Sequence, residues 1–173
     1  MSDGFVVWVT GLPASGKSTV ARALVRALAA AGGDAIVLES DALRRIYTPF
    51  PDFSDQERER FYATVARLAV WLCRSGVPVV IDATGARRAW RDAVRAQVAR
   101  FAEVWVDTPP GECAARDPKG LYAAAEQGRA PALPGVGVPY EPPLCPDAVV
   151  RGGDPDVAAS QVVTMLRDRG VLP

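Results

Sequence analysis

A nine-residue run near the N-terminus constrains the fold of this chain more than any other feature. It reads Gly11-Leu12-Pro13-Ala14-Ser15-Gly16-Lys17-Ser18-Thr19 and satisfies the pattern G-x-x-x-x-G-K-[ST]. An apolar, β-like run (5–9) precedes it, and a helical pattern (20–31) follows it. A strand, a glycine-rich loop and a helix in that order form a phosphate cradle, in which backbone N–H groups point at an anion. We therefore predict that all nine residues bind a nucleoside triphosphate, the alternative being an ordinary glycine-containing turn.

Two residues of this run have individual predicted roles. Lys17 is expected to reach the β- and γ-phosphates of ATP, and the hydroxyl of Ser18 is expected to hold Mg²⁺. The chain contains neither histidine nor asparagine. A general base must therefore be Asp or Glu, and a divalent metal must be held by oxygen ligands, as Mg²⁺ prefers.

The composition favours a small-molecule substrate. The chain has 173 residues, the size of one domain, and its 20 basic and 20 acidic side chains balance. Nothing in that balance indicates a nucleic-acid or membrane partner, and the arginine-rich stretch 87–95 is interpreted as a solvated helix face. Three widely spaced cysteines without a C-x-x-C pattern, and a start without a signal-peptide pattern, predict a cytoplasmic protein with reduced, mostly buried thiols.

Short apolar runs alternate with helical stretches along the whole chain, which predicts an α/β fold. The expected architecture is a single P-loop NTPase-type domain (1–173), with a parallel sheet flanked by helices and a lid and acceptor loop at about 116–146. Ser54 and Glu57 have the spacing of a capping box at a helix start. Strands are predicted at 5–9, 35–38, 78–81, 103–106 and 148–150, and helices at 20–31, 54–74, 88–101 and 156–168. The Pro- and Gly-rich stretch 128–146 is expected to be an irregular functional loop.

Several predicted strands end at an acidic residue, where ligands bind in open α/β sheets. Asp41 follows the second strand and is the best candidate for a base that takes the proton of an attacking hydroxyl, although it could merely cap the next helix. Glu39 is a weaker second acid that could assist the metal through water. Asp82 could contact metal-bound water or the phosphate loop, or could accept backbone N–H groups. Asp107 is expected to be structural.

From Asp107 onward the sequence resembles the adenylylsulfate kinases. The specific blocks are R-D-x-K-G-L-Y at 116–122 and P-Y-E-x-P at 139–143, preceded by V-D-T-P at 106–109 and E-C at 112–113. Further matches are the G-L-x-x-x-G-K-S-T run, L-x-x-D-x-x-R at 38–44 and F-S-x-x-x-R at 53–58. The resemblance spans nearly the whole chain. It implies Mg-ATP-dependent phosphorylation of the ribose 3′-hydroxyl of adenosine 5′-phosphosulfate (APS), and commonly a homodimer.

The resemblance also implies roles for individual residues. Asp41 would be the base, with Lys17 and Lys119 completing the catalytic set and Asp41 or Asp82 assisting Mg²⁺ through water. Arg116, Lys119 and Tyr122 would belong to a lid, with Arg116 on the nucleotide. The implied acceptor-binding residues, among which Arg44 and Arg58 hold the anionic group, are Asp41, Arg44, Phe53, Arg58, Phe61, Lys119 and Leu133.

The sequence departs from the family pattern on the acceptor side. Ala42 stands where the family has asparagine, and Phe61 replaces another asparagine. Gly85 replaces a serine, and Leu133 replaces an aromatic residue that stacks on the acceptor's adenine in the family. Two alternatives to APS phosphorylation therefore stay open: the same kinase chemistry on another small anionic acceptor, and a nucleotide-binding regulator without phosphoryl transfer.

Overall fold

The computed structural model describes residues 4–48 and 51–172. Its centre is a five-stranded sheet in the order β2-β3-β1-β4-β5, in which every pair of neighbouring strands is parallel. The strands are β1 (Val6–Gly11), β2 (Ile36–Glu39), β3 (Val79–Asp82), β4 (Phe101–Val106) and β5 (Ala148–Val150). This parallel α/β sheet confirms the predicted fold class.

Seven helices connect and cover these strands within the described residues. They are α1 (Lys17–Ala30), α2 (Ser40–Tyr47), α3 (Asp55–Arg74), α4 (Arg88–Arg95), α5 (Pro110–Arg116), α6 (Leu121–Glu126) and α7 (Pro155–Asp168). The start of α3 is the predicted cap, since the Ser54 hydroxyl accepts a hydrogen bond from the Glu57 amide at 3.2 Å.

Helices on both faces of the sheet explain why its central strand is buried throughout. All six residues of β1 are buried, with alternate side chains entering two separate cores. Val7 and Val9 pack towards α1 and α7, whereas Val6 and Trp8 pack towards α3 and α4. This packing on both faces fixes the register of the central strand. It thereby also fixes the point at which the phosphate loop leaves the sheet.

The parallel arrangement brings the functional ends of three strands to one edge. In the register, Val9 of β1 lies beside Asp82 of β3, which in turn lies beside Glu39 of β2. The phosphate loop leaves β1 just beyond, and α2 begins directly after Glu39. The acids expected at strand ends therefore surround the phosphate loop, as expected for this class of sheet.

Two sequence predictions in the α4 region are wrong. The helix predicted over 88–101 ends at Arg95, and β4 begins at Phe101, because β4 pairs with β1 along its full length from Val6↔Phe101 to Gly11↔Val106. The stretch 87–95 is also not a uniformly solvated face. Arg91 is only 1% exposed and pairs with the buried Glu103 of β4.

Within the described residues, no helix combines the length and apolarity needed to cross a membrane. The expectation of buried thiols holds for Cys73 and Cys113. Cys145, in the irregular stretch before β5, is exposed. That stretch has no helix or strand between 128 and 146 apart from a single bridge between Pro134 and Val138, which agrees with the predicted irregular loop.

Candidate active site

The phosphate loop has the backbone that its glycines permit. Gly16 has a φ of 98°, a left-handed conformation in which the chain turns into α1. A Cβ on Gly11 would lie 2.6 Å from the Val106 carbonyl oxygen, so β4 approaches the loop too closely for any side chain there. The Thr108 hydroxyl donates to the Ser15 carbonyl at 2.8 Å and ties the loop to the residues after β4.

Lys17 bends back over this loop and donates from Nζ to the Leu12 carbonyl at 2.9 Å. Burial lowers its pKa below the ordinary value, while the nearby carboxylates of Asp82 and Asp41 act in the opposite direction. Among the described residues, Ser15 Oγ is the one buried side-chain polar atom without a hydrogen-bond partner. A loop with a partly buried lysine and an orphaned hydroxyl is suited to an anion that has several oxygens.

Asp82 at the end of β3 is 4% exposed and accepts a hydrogen bond from the Ser18 side chain. Burial raises its pKa above the ordinary range, and the hydrogen bond from Ser18 and the charge of Lys17 oppose that rise. Of the interpretations open for Asp82, the structure shows the contact with the phosphate loop.

Asp41 lies in the first turn of α2 and forms an ion pair with Lys119, which comes from the segment between α5 and α6. The N-cap of α2 is Glu39, and no side-chain cap is present at this helix start within the described residues. The capping interpretation of Asp41 is therefore wrong. Asp41 is half exposed and Lys119 somewhat more so, which leaves both accessible to a ligand.

The predicted lid residues converge above the phosphate loop. Tyr122 is buried, and its hydroxyl donates to the Pro13 carbonyl at 3.0 Å. Burial raises the pKa of Tyr122 to about 12. The Arg116 guanidinium lies over Gly16, with Nη1 4.0 Å from where a Cβ would stand, and also pairs with Glu112. Tyr122 thus attaches the lid to the loop, and Arg116 stays half exposed beside it.

Arg44 is held by a carboxylate and two aromatic rings. It forms an ion pair with Glu57 in which both side chains are 12% exposed. Its guanidinium carbon lies 4.0 Å from the centroid of the Phe61 ring and 5.1 Å from that of Phe53. The second Glu57 oxygen accepts from the Phe53 amide at 3.1 Å, so both oxygens of this carboxylate are used.

Arg58, on the first turns of α3, is 7% exposed and joins the acceptor side to the irregular loop. It donates from Nε to the Phe53 carbonyl at 2.9 Å and from Nη2 to the Ala132 carbonyl. Burial lowers its pKa, to which the neighbouring positive charge of Arg44 also contributes, while Glu57 acts in the opposite direction. The structure thus brings together Arg44, Arg58 and Phe53, three of the residues predicted to bind the acceptor.

Three of the four substituted positions, Phe61, Gly85 and Leu133, lie behind this pocket rather than on its surface. Phe61 is 1% exposed and packs edge-on against Tyr62, whose hydroxyl accepts from the Gly85 amide at 3.1 Å. Tyr62 stacks on Trp90 with a centroid distance of 4.2 Å. Phe61 and Gly85 therefore belong to one buried cluster. Tyr62 and Trp90 complete this cluster, although the family pattern did not single them out.

Leu133, the fourth substituted position, is also buried, at 7% exposure. It packs with Cys113 and Tyr122 in a small core under the lid, which Leu12 and Ala14 of the phosphate loop join. Phe61 and Leu133 were predicted to line the acceptor pocket. In the structure their side chains face protein, and Ala42 lies on α2 next to Asp41.

Sequence reasoning missed the residues that anchor the irregular loop. Arg91 Nε donates to Glu103 at 2.5 Å, and its other nitrogens donate to the carbonyls of Gly85 and Glu141. Tyr140 places its hydroxyl 3.1 Å from that of Thr10, on the strand that leads into the phosphate loop. In the sequence, an arginine at helical spacing resembles any solvated one.

A cavity of about 630 Å³ lies between the phosphate loop, the end of β4 and the irregular loop. Its walls are largely apolar and include Leu12, Trp105, Asp107, Thr108, Tyr140 and the 135–139 backbone. Asp107 at this cavity pairs with Arg151 at 2.8 Å, in agreement with its predicted structural role.

Comparison with known proteins identifies the family. Residues 3–151 match the family described as adenylylsulphate kinase. An adenylyl-sulfate kinase of Rippkaea orientalis is 38% identical over 149 residues, which cover 86% of this chain and 82% of that protein. A probable adenylyl-sulfate kinase of Archaeoglobus fulgidus is 36% identical over 146 residues, covering 84% and 94% respectively.

A solved structure agrees in fold over almost the full length of both chains. It is the Mycobacterium tuberculosis APS kinase in complex with AMPPNP and APS, which superposes with a TM-score of 0.89 at 34% identity and covers 96% of this chain and 99% of that one. This chain is a kinase and belongs to the adenylylsulphate kinase family.

Proposed function

We propose that this chain transfers the γ-phosphoryl group of Mg-ATP to the ribose 3′-hydroxyl of APS, giving ADP and 3′-phosphoadenosine 5′-phosphosulfate. The family and the likeness to an APS kinase solved with APS and a non-hydrolysable ATP analogue support both substrates. The observation that carries the choice of acceptor is that Phe61, Gly85 and Leu133 are buried. At these three positions the residues that differ from the family pattern pack against other protein side chains behind the pocket. They therefore give no reason to infer a different acceptor.

The proposed mechanism assigns one task to each group near the phosphate loop. Lys17 and the loop amides hold the β- and γ-phosphates of ATP. Asp41 accepts the proton of the 3′-hydroxyl as its oxygen attacks the γ-phosphorus, and the bond to the ADP oxygen breaks on the opposite side. Lys119 then neutralises charge on the transferring group.

The ion pair between Asp41 and Lys119 fits this assignment. Lys119 pairs with the carboxylate of Asp41. An entering γ-phosphoryl group offers Lys119 a second anionic partner, which would leave Asp41 free to act on the hydroxyl. Both groups stay partly exposed, so this exchange needs no unfolding of the lid.

The residues near Ser18 fit a magnesium ion. Ser18 and Asp82 place a hydroxyl and a carboxylate together at the loop, and both are the hard oxygen donors that Mg²⁺ prefers. Ser18 would bind the ion directly, with Asp82 or Asp41 acting through water. When bound, Mg²⁺ would neutralise charge on the β- and γ-phosphates.

We further propose that the chain acts as a single domain (1–173), with the 116–146 segment as lid and acceptor loop. A cytoplasmic location and a homodimer complete the proposal. The three cysteines without a disulfide-like pattern support the first, and the resemblance to the family supports the second.

The test is acceptor-dependent ADP release from Mg-ATP, measured with APS, with other adenosine nucleotides and without acceptor. Robust turnover that requires APS supports the proposal. Turnover with a different acceptor would establish the alternative substrate, and nucleotide binding without any turnover would favour the regulator. Asp41→Asn tests the assigned base, because it should strongly lower the turnover of a kinase while ATP binding persists.

A further inference from the structure

Three charged side chains, Arg44, Arg58 and Glu57, lie together in the wall of the acceptor pocket. Arg44 and Arg58 lie close enough for each to affect the other electrostatically, and Glu57 contacts Arg44. Two guanidinium groups and one carboxylate give this cluster a net charge of +1. All three side chains are mostly buried, so water screens their fields less than it would on an open surface.

Glu57 is built into this cluster and is not a passing surface partner. One oxygen binds Arg44, and the other accepts the Phe53 amide at 3.1 Å. The Glu57 amide is fixed in turn by the Ser54 hydroxyl that caps α3. The Phe53 and Phe61 rings lie against the Arg44 guanidinium and limit the positions available to it. The carboxylate therefore stays beside Arg44 when a ligand approaches.

The nucleotides that compete for such a pocket differ in the charge of their terminal group. A sulfate group carries a single charge and has no proton to lose near neutral pH. A terminal phosphate carries about −1.5 to −2 at pH 7, because its second pKa is near 6. A nucleoside diphosphate is therefore more strongly attracted than a phosphosulfate by every additional positive charge in the pocket.

We propose that Glu57 is a specificity-determining residue that limits the positive charge of the acceptor pocket, so that a phosphosulfate is accepted and a nucleoside diphosphate is disfavoured. This inference rests on the proposed function, and it concerns the selection among acceptors rather than the transfer step. Removing the carboxylate raises the cluster charge from +1 to +2. Both ligands then bind more tightly, and the diphosphate gains more.

The experiment compares Glu57→Gln, Glu57→Asp and wild-type chains. The KM for APS and the inhibition constant of ADP against APS are measured at saturating Mg-ATP, so that the donor site is filled. For one charge at about 5 Å in a partly buried site, the ratio of the two constants should shift by about tenfold or more towards ADP in Glu57→Gln. Glu57→Asp keeps the charge, so its ratio should stay near that of the wild type.

Glu59→Gln is the matched control, because it removes a carboxylate from the same helix that pairs with Arg87 instead. An unchanged ratio in Glu57→Gln, or the same shift in Glu59→Gln, would overturn the proposal. An equal shift in Glu57→Asp would also overturn it, since shape and not charge would then be responsible. Absence of APS turnover in the wild type would instead refute the proposed function. The ratio of the KM for APS to the inhibition constant of ADP does not depend on the concentration of folded enzyme. A partial loss of folded protein in a variant therefore leaves the test valid.

Discussion

Restoring the family's serine at position 85 should destabilise this chain strongly. Gly85 has a φ of 51°, in the left-handed region that costs other residues about 1–2 kcal/mol. A Cβ there would lie 2.8 Å from Cζ2 of Trp8 and 3.2 Å from Cγ of Arg91, both of which are buried. Overpacking of this kind costs about 1–3 kcal/mol, so the free energy of unfolding should fall by about 2–5 kcal/mol.

Thermal unfolding followed by circular dichroism measures this loss. In a chain of this size each kcal/mol lowers Tm by about 2–4 °C, which predicts a decrease of about 4–20 °C for Gly85→Ser. Gly32→Ala is the control, because Gly32 has a φ of 86° and a Cβ there would meet no atom of the described residues within 4 Å. Gly32→Ala should therefore lower the free energy of unfolding only by the cost of a positive φ, about 1–2 kcal/mol.

The difference between the two variants reports the crowding against Trp8 and Arg91. Equal Tm values for Gly85→Ser and Gly32→Ala would refute the reasoning that position 85 belongs to a repacked wall. A Gly85→Ser chain as stable as the wild type would refute the backbone argument as well.

Three further outcomes follow from the site. Asp41→Asn should lower kcat by about 10²–10⁴-fold with the Kd for ATP nearly unchanged, measured by single-turnover kinetics and calorimetry; wild-type kcat would exclude Asp41 as the base. Lys17→Ala should abolish turnover, and retained kcat would contradict its assigned role at the phosphates. Burial raises the pKa of Tyr140 to about 12, so the unfolded chain releases this proton first and stability falls between pH 10 and 12. Tyr140→Phe should show a smaller alkaline loss of Tm than the wild type, and an identical loss would contradict this assignment.

The arrangement of the donor side was predictable because its signals are local. The phosphate loop is a contiguous motif, and its flanking strand and helix follow from short-range patterns. Asp41 follows directly after a strand, where ligands bind in open α/β sheets, and its position at the start of α2 agrees with that pattern. The capping box at Ser54 and Glu57 is equally local, and the structure contains its hydrogen bond.

The acceptor side depends on contacts between distant parts of the chain. From sequence alone, Phe61 and Leu133 are interpreted as acceptor-pocket residues that differ from the family pattern. Only the fold shows Phe61 beneath Arg44 and Leu133 under the lid. Arg91 could not be distinguished from a solvated arginine, because burial depends on what packs against a helix and not on the helix itself.

The sequence alone therefore determined the fold class, the phosphate loop and the family of this protein, since each of these is encoded in short, contiguous patterns. Tertiary structure alone decided which acceptor-side residues face a ligand and which charges share a pocket. Glu57 is the clearest instance. The sequence predicts its place in the capping box of α3, but its ion pair with Arg44 forms only when α3 packs beside α2. Charge in a pocket is a sum over neighbours in space, and those neighbours come from separate elements of the chain.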